Sequence, residues 1–155
     1  MIPNRLVLDT NVCLDLFVFN DPRWGLLEHA LRSGAWQAVT RADCRTEWML
    51  VLAYPKFDLD PARRAACLER FDALVTCIEP DVAMAEERAA APLPRCRDRD
   101  DQKFLETALD TGASTLLTKD KALLKLAGRC RRAGLFDILQ PAAWISAHDR
   151  MLTIE

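Results

Sequence analysis

Short apolar runs alternate along the chain with longer stretches in which apolar residues recur every three or four positions. The short runs predict five strands, at residues 5–8, 36–40, 76–80, 114–118 and 136–139. The longer stretches predict the helices, at residues 12–19, 22–34, 42–54, 61–75, 81–91, 104–112, 121–127 and 141–144. Strands and helices therefore follow one another along the whole chain, which is typical of α/β proteins.

The predicted strands are apolar throughout instead of alternating with polar residues, so both faces of their sheet should be covered. Helices that connect such strands cross over from one parallel strand to the next. We therefore predict a three-layer α/β/α sandwich with a central parallel sheet of about five strands. The chain shows no repeat, linker or low-complexity segment, and residues 1–155 are predicted to form a single domain.

Local signals set the expected helix ends. Asn11 is a favourable N-cap, so the first helix is expected to begin at Val12. Gly34 should end the second helix. Pro55 should end the third one, because the residue before a proline avoids the helical conformation.

Two acidic residues follow predicted strands. Asp9 comes directly after the first strand, and Asp120 follows the fourth strand with Lys119 between them. Ligands of parallel sheets bind beyond the carboxyl ends of the strands, so both acids are candidates for a site. Each could instead cap the helix that comes after it.

Glu47 and Asp101 are possible companions of these acids. Glu47 lies in a helix beside the apolar and aromatic stretch 48–50, and Asp101 precedes another helix in a densely charged stretch with Asp98 and Asp100. Clustered carboxylates without histidine or cysteine are hard oxygen donors that suit Mg²⁺ or Mn²⁺. The alternatives are that Glu47 is a solvated helix residue and that the aspartates only favour the positive end of a helix dipole.

The six cysteines include no Cys-x-x-Cys pair, which argues against a zinc site. Their mostly apolar neighbours indicate buried thiols in a reducing compartment, and we expect a cytoplasmic protein. The longest apolar runs, such as residues 48–54, are too short to cross a membrane.

The formal net charge is −2, which by itself argues against a nucleic-acid partner. The charge is unevenly distributed, however. Residues 95–132 contain ten lysines and arginines against six acids, a local balance of +4. This stretch could be a solvated face or a surface that follows a phosphate backbone.

Four motifs together resemble the PIN-domain family: VLDTNV, YPKF followed by ACLERF, CRDRDDQKFLETAL and LLTKD. The resemblance extends from about Leu6 to Trp144 and is closest to the branch of toxins from toxin–antitoxin pairs. It implies that the family's acidic residues correspond to Asp9, Glu47, Asp101 and Asp120. One departure is Lys119, where this branch usually has glycine before the last acid.

The resemblance implies further site residues around the four acids. Asn11 and Thr118 match the polar residues that support the first and last acids. Asp98 and Asp100 are near enough to share the role of the third acid, and Glu106 is a weaker candidate. The basic residues expected to contact RNA are Arg97, Arg99, Lys103, Lys119 and Lys121. Among the tryptophans, Trp48 beside Glu47 is the candidate for stacking on a base.

The resemblance implies a metal-dependent endoribonuclease that cleaves single-stranded RNA with Mg²⁺ or Mn²⁺. It also implies a protein antitoxin and a homodimer, with no membrane partner. Three other classes of protein share some of these features. A haloacid-dehalogenase-type phosphatase needs a second acid where Asn11 stands, and a response-regulator receiver needs an acid adjacent to the first one. A PIN-like module that binds RNA or protein without cutting is the remaining alternative.

Overall fold

A single parallel sheet of five strands forms the centre of the protein. The computed structural model describes residues 1–151, so the last four residues of the predicted domain lie outside this range. The strands are β1 (Ile2–Leu8), β2 (Gln37–Thr40), β3 (Val75–Cys77), β4 (Ala113–Leu117) and β5 (Asp137–Leu139). They lie in the order β3-β2-β1-β4-β5, and every neighbouring pair is parallel. The predicted sheet of about five parallel strands is confirmed.

Helices cover both faces of this sheet, which confirms the predicted three-layer sandwich. They are α1 (Thr10–Phe17), α2 (Gly25–Ser33), α3 (Ala42–Leu52), α4 (Pro61–Leu74), α5 (Val82–Ala90), α6 (Gln102–Asp110), α7 (Lys121–Leu124), α8 (Ala127–Arg132) and α9 (Pro141–His148). Helix α8 was not predicted, because its sequence has few apolar residues. Among the described residues no helix has the length and apolar character needed to cross a membrane.

The start of α1 differs from its prediction. The helix begins at Thr10, and its N-cap is Asp9, whose carboxylate accepts a hydrogen bond from the Thr10 backbone N–H. Asn11 lies inside the first turn, so the predicted cap at Asn11 was wrong. Aspartate and asparagine are equally good caps. Asp9 is the cap in this protein because β1 extends to Leu8 and α1 begins at Thr10, so that Asp9 is the residue between the strand and the helix.

Alternate residues of the strands enter two separate apolar clusters. Leu6 and Leu8 of β1 pack in a cluster with helices α1, α2, α4 and α9, whereas Val7 packs on the opposite face with α6 and α8. All three side chains are buried. Because successive side chains of a strand point to opposite faces, a fully apolar strand is what a sheet covered on both sides requires.

The cysteines confirm the prediction of buried thiols at five of six positions, and Cys77 is exposed. Burial raises the pKa of Cys44 to about 12 and that of Cys130 to about 11. These thiols are therefore protonated at neutral pH and act as small apolar side chains.

The second predicted helix ends where expected. A 3-10 turn at Pro22–Trp24 leads into α2, and Gly34 ends that helix with a φ of 79°. This left-handed conformation is accessible to glycine at little cost, so Gly34 is well suited to end the helix.

Candidate active site at the carboxyl ends of β1 and β4

The two central strands end side by side and bring their acidic residues to one edge of the sheet. Leu8 of β1 is paired with Leu117 of β4, and the backbone N–H of Asp9 donates to the carbonyl of Leu117 at 3.0 Å. Parallel pairing in this register places the residue after β1 next to the residues after β4. Asp9 and Asp120 are therefore neighbours in space although more than a hundred residues separate them.

Thr118 connects the two acids. Its buried hydroxyl donates a hydrogen bond to Oδ2 of Asp9 at 2.6 Å and accepts one from the backbone N–H of Asp120 at 3.0 Å. Oδ1 of Asp120 accepts from the backbone N–H of Ala122 and caps α7 at 2.8 Å. Asp9 and Asp120 therefore each cap the helix that follows them. A carboxylate has enough lone pairs to cap a helix and to bind a further partner as well.

The four predicted acids line one pocket of about 260 Å³, namely Asp9, Glu47, Asp101 and Asp120. Asn11 also lines it, and its Oδ1 accepts a hydrogen bond from the backbone N–H of Lys119 at 3.4 Å. The acids come from four separate parts of the chain, so only the folded sheet and its helices bring them together. The pocket lies at the sheet edge where ligands of parallel sheets usually bind.

Asp9 carries the most deeply buried carboxyl group of the pocket. Its side chain is 3% exposed, and this burial raises its pKa from 3.8 to about 6. The hydrogen bonds from Thr118 and from the Thr10 backbone lower the pKa by less, and the negative charges of Asp120 and Glu47 raise it further. Ionisation of Asp9 is therefore less favourable in the folded protein than it is for an aspartate in water.

Asp101 is also destabilised as an anion. Burial, a hydrogen bond shared with Asp120 and the nearby charge of Asp9 all raise its pKa well above the ordinary value. Within residues 1–151, Oδ2 of Asp101 is buried and has no hydrogen-bond partner. Two ionised carboxylates cannot share a hydrogen bond and repel each other, so ionisation of Asp101 beside an ionised Asp120 is unfavourable.

Glu47 is in a different situation, because both of its carboxylate oxygens have partners. Oε2 accepts a hydrogen bond from the hydroxyl of Thr10 at 2.7 Å, and Oε1 forms an ion pair with Nζ of Lys103 at 2.7 Å. The side chains of Glu47 and Lys103 are each about one quarter exposed. These contacts fix the orientation of Glu47, so it is not the freely solvated helix residue of the alternative interpretation.

The donor chemistry of this pocket fits a hard divalent cation. Asp9, Asp101 and Asp120 offer carboxylate oxygens with an uncompensated charge, and Asp101 has one buried oxygen without a partner among the described residues. The geometry is less complete. The described part of the chain contains no group of three or more His, Cys, Asp or Glu side chains already arranged to hold a metal ion. The carboxylates would have to reorient to share one ion.

The neighbouring acids Asp98, Asp100 and Glu106 do not line this pocket. Asp98 caps the 3-10 turn Arg99–Asp101 by accepting a hydrogen bond from the backbone of Asp100, and both aspartates are exposed. Glu106 forms an ion pair with Arg41 at 3.1 Å. Asp98 acts on the site only through its charge, which contributes to the raised pKa of Asp101.

The predicted RNA-contacting residues fall into two groups. Arg97, Arg99 and Lys103 line a second pocket of about 640 Å³, and Lys103 connects it to the acidic pocket through its ion pair with Glu47. The other two lie near the end of β4. Lys121 is exposed at the start of α7, whereas Nζ of Lys119 is held by Oδ2 of Asp15 at 2.6 Å. Asp15 therefore largely neutralises the charge of Lys119, which stands where this branch of the family usually has glycine.

Sequence reasoning missed one wall of the acidic pocket and chose the wrong aromatic residue. Trp48 is 1% exposed and stacks on Phe71 in the core, so it cannot stack on a base. The pocket wall is instead formed by Tyr54, Lys56 and Phe57, directly after α3. The available signal was the position of YPKF at the end of the helix that carries Glu47.

Comparison with known families agrees with this arrangement. A model of the PIN domain matches residues 5–122, which include most of β1, all four acids of the pocket and the end of β4. No curated protein and no solved structure matches the chain. PIN domains are generally nucleases that use divalent metal ions. The matched region includes the four acids that line the pocket at the carboxyl ends of the strands. This chain therefore belongs to the PIN domain family.

Proposed function

We propose that the chain is a metal-dependent endoribonuclease that hydrolyses phosphodiester bonds of single-stranded RNA. The observation that carries the proposal is the set of carboxylates lining one pocket at the carboxyl ends of β1 and β4. Burial and mutual repulsion keep the charges of Asp9 and Asp101 unfavourable. Positive charge from a bound cation would relieve that cost, and Mg²⁺ and Mn²⁺ are the hard cations that this donor set suits.

Three residues would hold the cation: Asp9, Asp120 and Asp101. The first two follow adjacent strands and are linked by the Thr118 hydroxyl, which limits their relative movement. Asp101 approaches from the start of α6 and contributes an oxygen that has no partner among residues 1–151. Asn11 supports the site by binding the backbone of Lys119.

Hydrolysis of a phosphodiester develops extra negative charge on a phosphate that already carries one, and carboxylates alone would repel it. A bound divalent ion would stabilise that charge and make water a better nucleophile. Glu47 would orient the attacking water through a hydrogen bond to its carboxylate. Its oxygens are positioned by Thr10 and Lys103, which favours this role over direct metal binding.

The RNA backbone would run from the acidic pocket towards the basic residues of the segment 95–132. Lys103 lies between the two pockets, and Arg97 and Arg99 extend the positive surface beyond it. Lys121 is exposed near the end of β4 and could contact phosphate directly, whereas Lys119 would first have to leave Asp15. A toxin role with a protein antitoxin and a homodimeric state belong to the same proposal through the family resemblance, and a cytoplasmic location belongs to it through the buried free cysteines.

Cleavage of an end-labelled single-stranded RNA tests the proposal. The purified protein should cut the RNA in Mn²⁺ or Mg²⁺ and not in EDTA. Asp9→Asn should abolish cleavage while circular dichroism shows an unchanged fold, because the amide keeps the shape of the side chain and loses its charge.

Asp137→Asn is the matched control. Asp137 begins β5 and does not line the acidic pocket, and its exposed carboxylate lies 3.7 Å from Arg131, so its replacement should leave cleavage intact. Full activity of Asp9→Asn would contradict the assignment, and cleavage in EDTA would contradict a metal-dependent mechanism. RNA binding without cleavage in any divalent ion would favour the non-catalytic module.

A further inference from the structure

The pocket wall formed by Tyr54, Lys56 and Phe57 includes two aromatic rings that are available to a ligand. Tyr54 is 47% exposed, and Phe57 is partly exposed beside it. Their rings are parallel to within 6°, with centroids 6.5 Å apart. Both line the same pocket of about 260 Å³ as Asp9, Asp101 and Asp120. Adjoining exposed apolar groups rimmed by polar residues often mark a ligand-binding groove.

The backbone holds this wall in place. Tyr54 precedes the 3-10 turn Pro55–Phe57, and the backbone N–H of Phe57 donates to the carbonyl of Tyr54 at 3.1 Å. The Tyr54 N–H in turn donates to the carbonyl of Val51, which ties the turn to the end of α3. Phe57 also contacts the ring of Phe19, with centroids 6.0 Å apart. A ligand would therefore meet rings that are already ordered, at little further cost in conformational entropy.

We propose that this wall is the base-binding subsite of the active site, where one nucleobase of the single-stranded RNA stacks on Tyr54. The inference rests on the proposed nuclease function and adds the group that recognises the substrate. A nucleotide combines an anionic phosphate with a flat aromatic base. The pocket likewise combines carboxylates that suit a cation with an aromatic surface. The carboxylates that would hold the cation face the phosphate, and the Tyr54 and Phe57 rings offer an apolar surface to the base.

The basic residue of this segment favours RNA over an apolar protein segment as the occupant. Nζ of Lys56 lies 5.2 Å from the centroid of the Phe57 ring, and Lys56 also lines the pocket. It places a positive charge beside the aromatic surface, where the phosphate of the adjoining nucleotide would lie. Unpaired RNA bases are exposed and stack readily on aromatic side chains, whereas bases inside a duplex are not available to such a wall.

Steady-state cleavage of an RNA series tests the subsite. Each RNA in the series carries one abasic ribose at a different position, and kcat and KM are measured in Mn²⁺. For the wild type, one abasic position should lower kcat/KM by about 5- to 150-fold, the range expected for a single base–aromatic stack. Tyr54→Leu should lower kcat/KM on the intact RNA by a similar factor and should abolish the extra loss at that abasic position. Tyr54→Phe should restore both behaviours.

Leu50→Ala is the control. Leu50 lies in α3, the helix that precedes Tyr54, and its side chain is 61% exposed and does not line the pocket. It should leave both kinetic constants unchanged. A structural role for Tyr54 would lower activity equally on intact and abasic RNA, and that result overturns the proposal. Unchanged kinetics in Tyr54→Leu would also overturn it and would assign the wall to another occupant, such as a protein segment. A wild type that cuts no RNA would instead refute the nuclease function on which the subsite rests.

A spectroscopic measurement gives an independent readout. Tyr54 is the only tyrosine of the chain, so isotope labelling of tyrosine rings yields the NMR signal of this residue alone. Intact single-stranded RNA with a non-hydrolysable backbone, added with Mg²⁺, should shift the ring protons upfield, as expected for a base stacked on the ring. The corresponding fully abasic strand should not. Equal shifts with the two strands, or no shift with either, would overturn the proposal.

Discussion

Replacing Asp9 by asparagine should change how the stability of the protein depends on pH. The folded state raises the pKa of Asp9 from 3.8 to about 6, mainly through burial of a side chain that is 3% exposed. Between these two pH values the folded protein binds more protons at this site than the unfolded chain does. The free energy of unfolding therefore falls as pH rises through this window.

The size of the effect follows from the shift. One pKa unit corresponds to about 1.36 kcal/mol, so ionised Asp9 should lower the free energy of unfolding by about 3 kcal/mol above pH 7. The asparagine side chain of the variant does not titrate, so this site does not lower the free energy of unfolding of the variant as the pH rises. Relative to the wild type, Asp9→Asn should therefore gain up to about 3 kcal/mol between pH 4 and pH 7.5.

Urea unfolding followed by tryptophan fluorescence measures this difference across that pH range. EDTA is included so that divalent cations do not compensate the charge. Thr118→Val is an informative companion, because it removes a hydrogen bond that lowers the pKa of Asp9 and should extend the loss of stability to higher pH. Parallel stability curves for the wild type and Asp9→Asn would refute the reasoning, because they would mean that the fold does not destabilise the Asp9 anion.

Three further predictions follow from the geometry. Asp101→Asn should abolish metal-dependent cleavage, while Asp100→Asn should retain it because the exposed Asp100 does not line the pocket; equal losses in the cleavage assay would contradict this distinction. Mn²⁺ at about 100 times its Kd should add about 2.7 kcal/mol to the stability of the wild type in a thermal-shift or urea titration, and less to Asp9→Asn. Trp48→Ala should lower the free energy of unfolding by about 3–5 kcal/mol, because it empties a buried site between Phe17 and Phe71; a change under about 1 kcal/mol would show that this side chain is not part of the core.

Two of the candidate acids could be named from a local sequence pattern, whereas Glu47 and Asp101 were assigned through the resemblance to the PIN-domain family. Asp9 and Asp120 follow apolar strands, and strand ends of a parallel sheet are where ligands bind. The roles of the individual acids could not be decided in this way. Asp98, Asp100 and Asp101 are close together in the sequence, and only the 3-10 turn Arg99–Asp101 determines that Asp101 faces the pocket.

Side-chain partners were even less predictable. Glu47 binds Thr10 and Lys103, and Lys119 binds Asp15, and each of these contacts joins different elements of the fold. The aromatic wall was missed for a related reason. Trp48 lies within α3 on the side that packs into the core, whereas Tyr54 follows the end of that helix and is exposed, and only the packing of the helix decides this difference.

The sequence by itself determined the α/β class, the parallel sheet and the acidic residues at its strand ends. These features depend on hydrophobic periodicity and on residues close to one another in the chain, which local patterns record well. The tertiary structure decided which acids share a pocket, which charges are neutralised and where an aromatic surface borders the acidic pocket. Those properties depend on burial and on distances between remote residues, and these are set only when the sheet and its helices pack together.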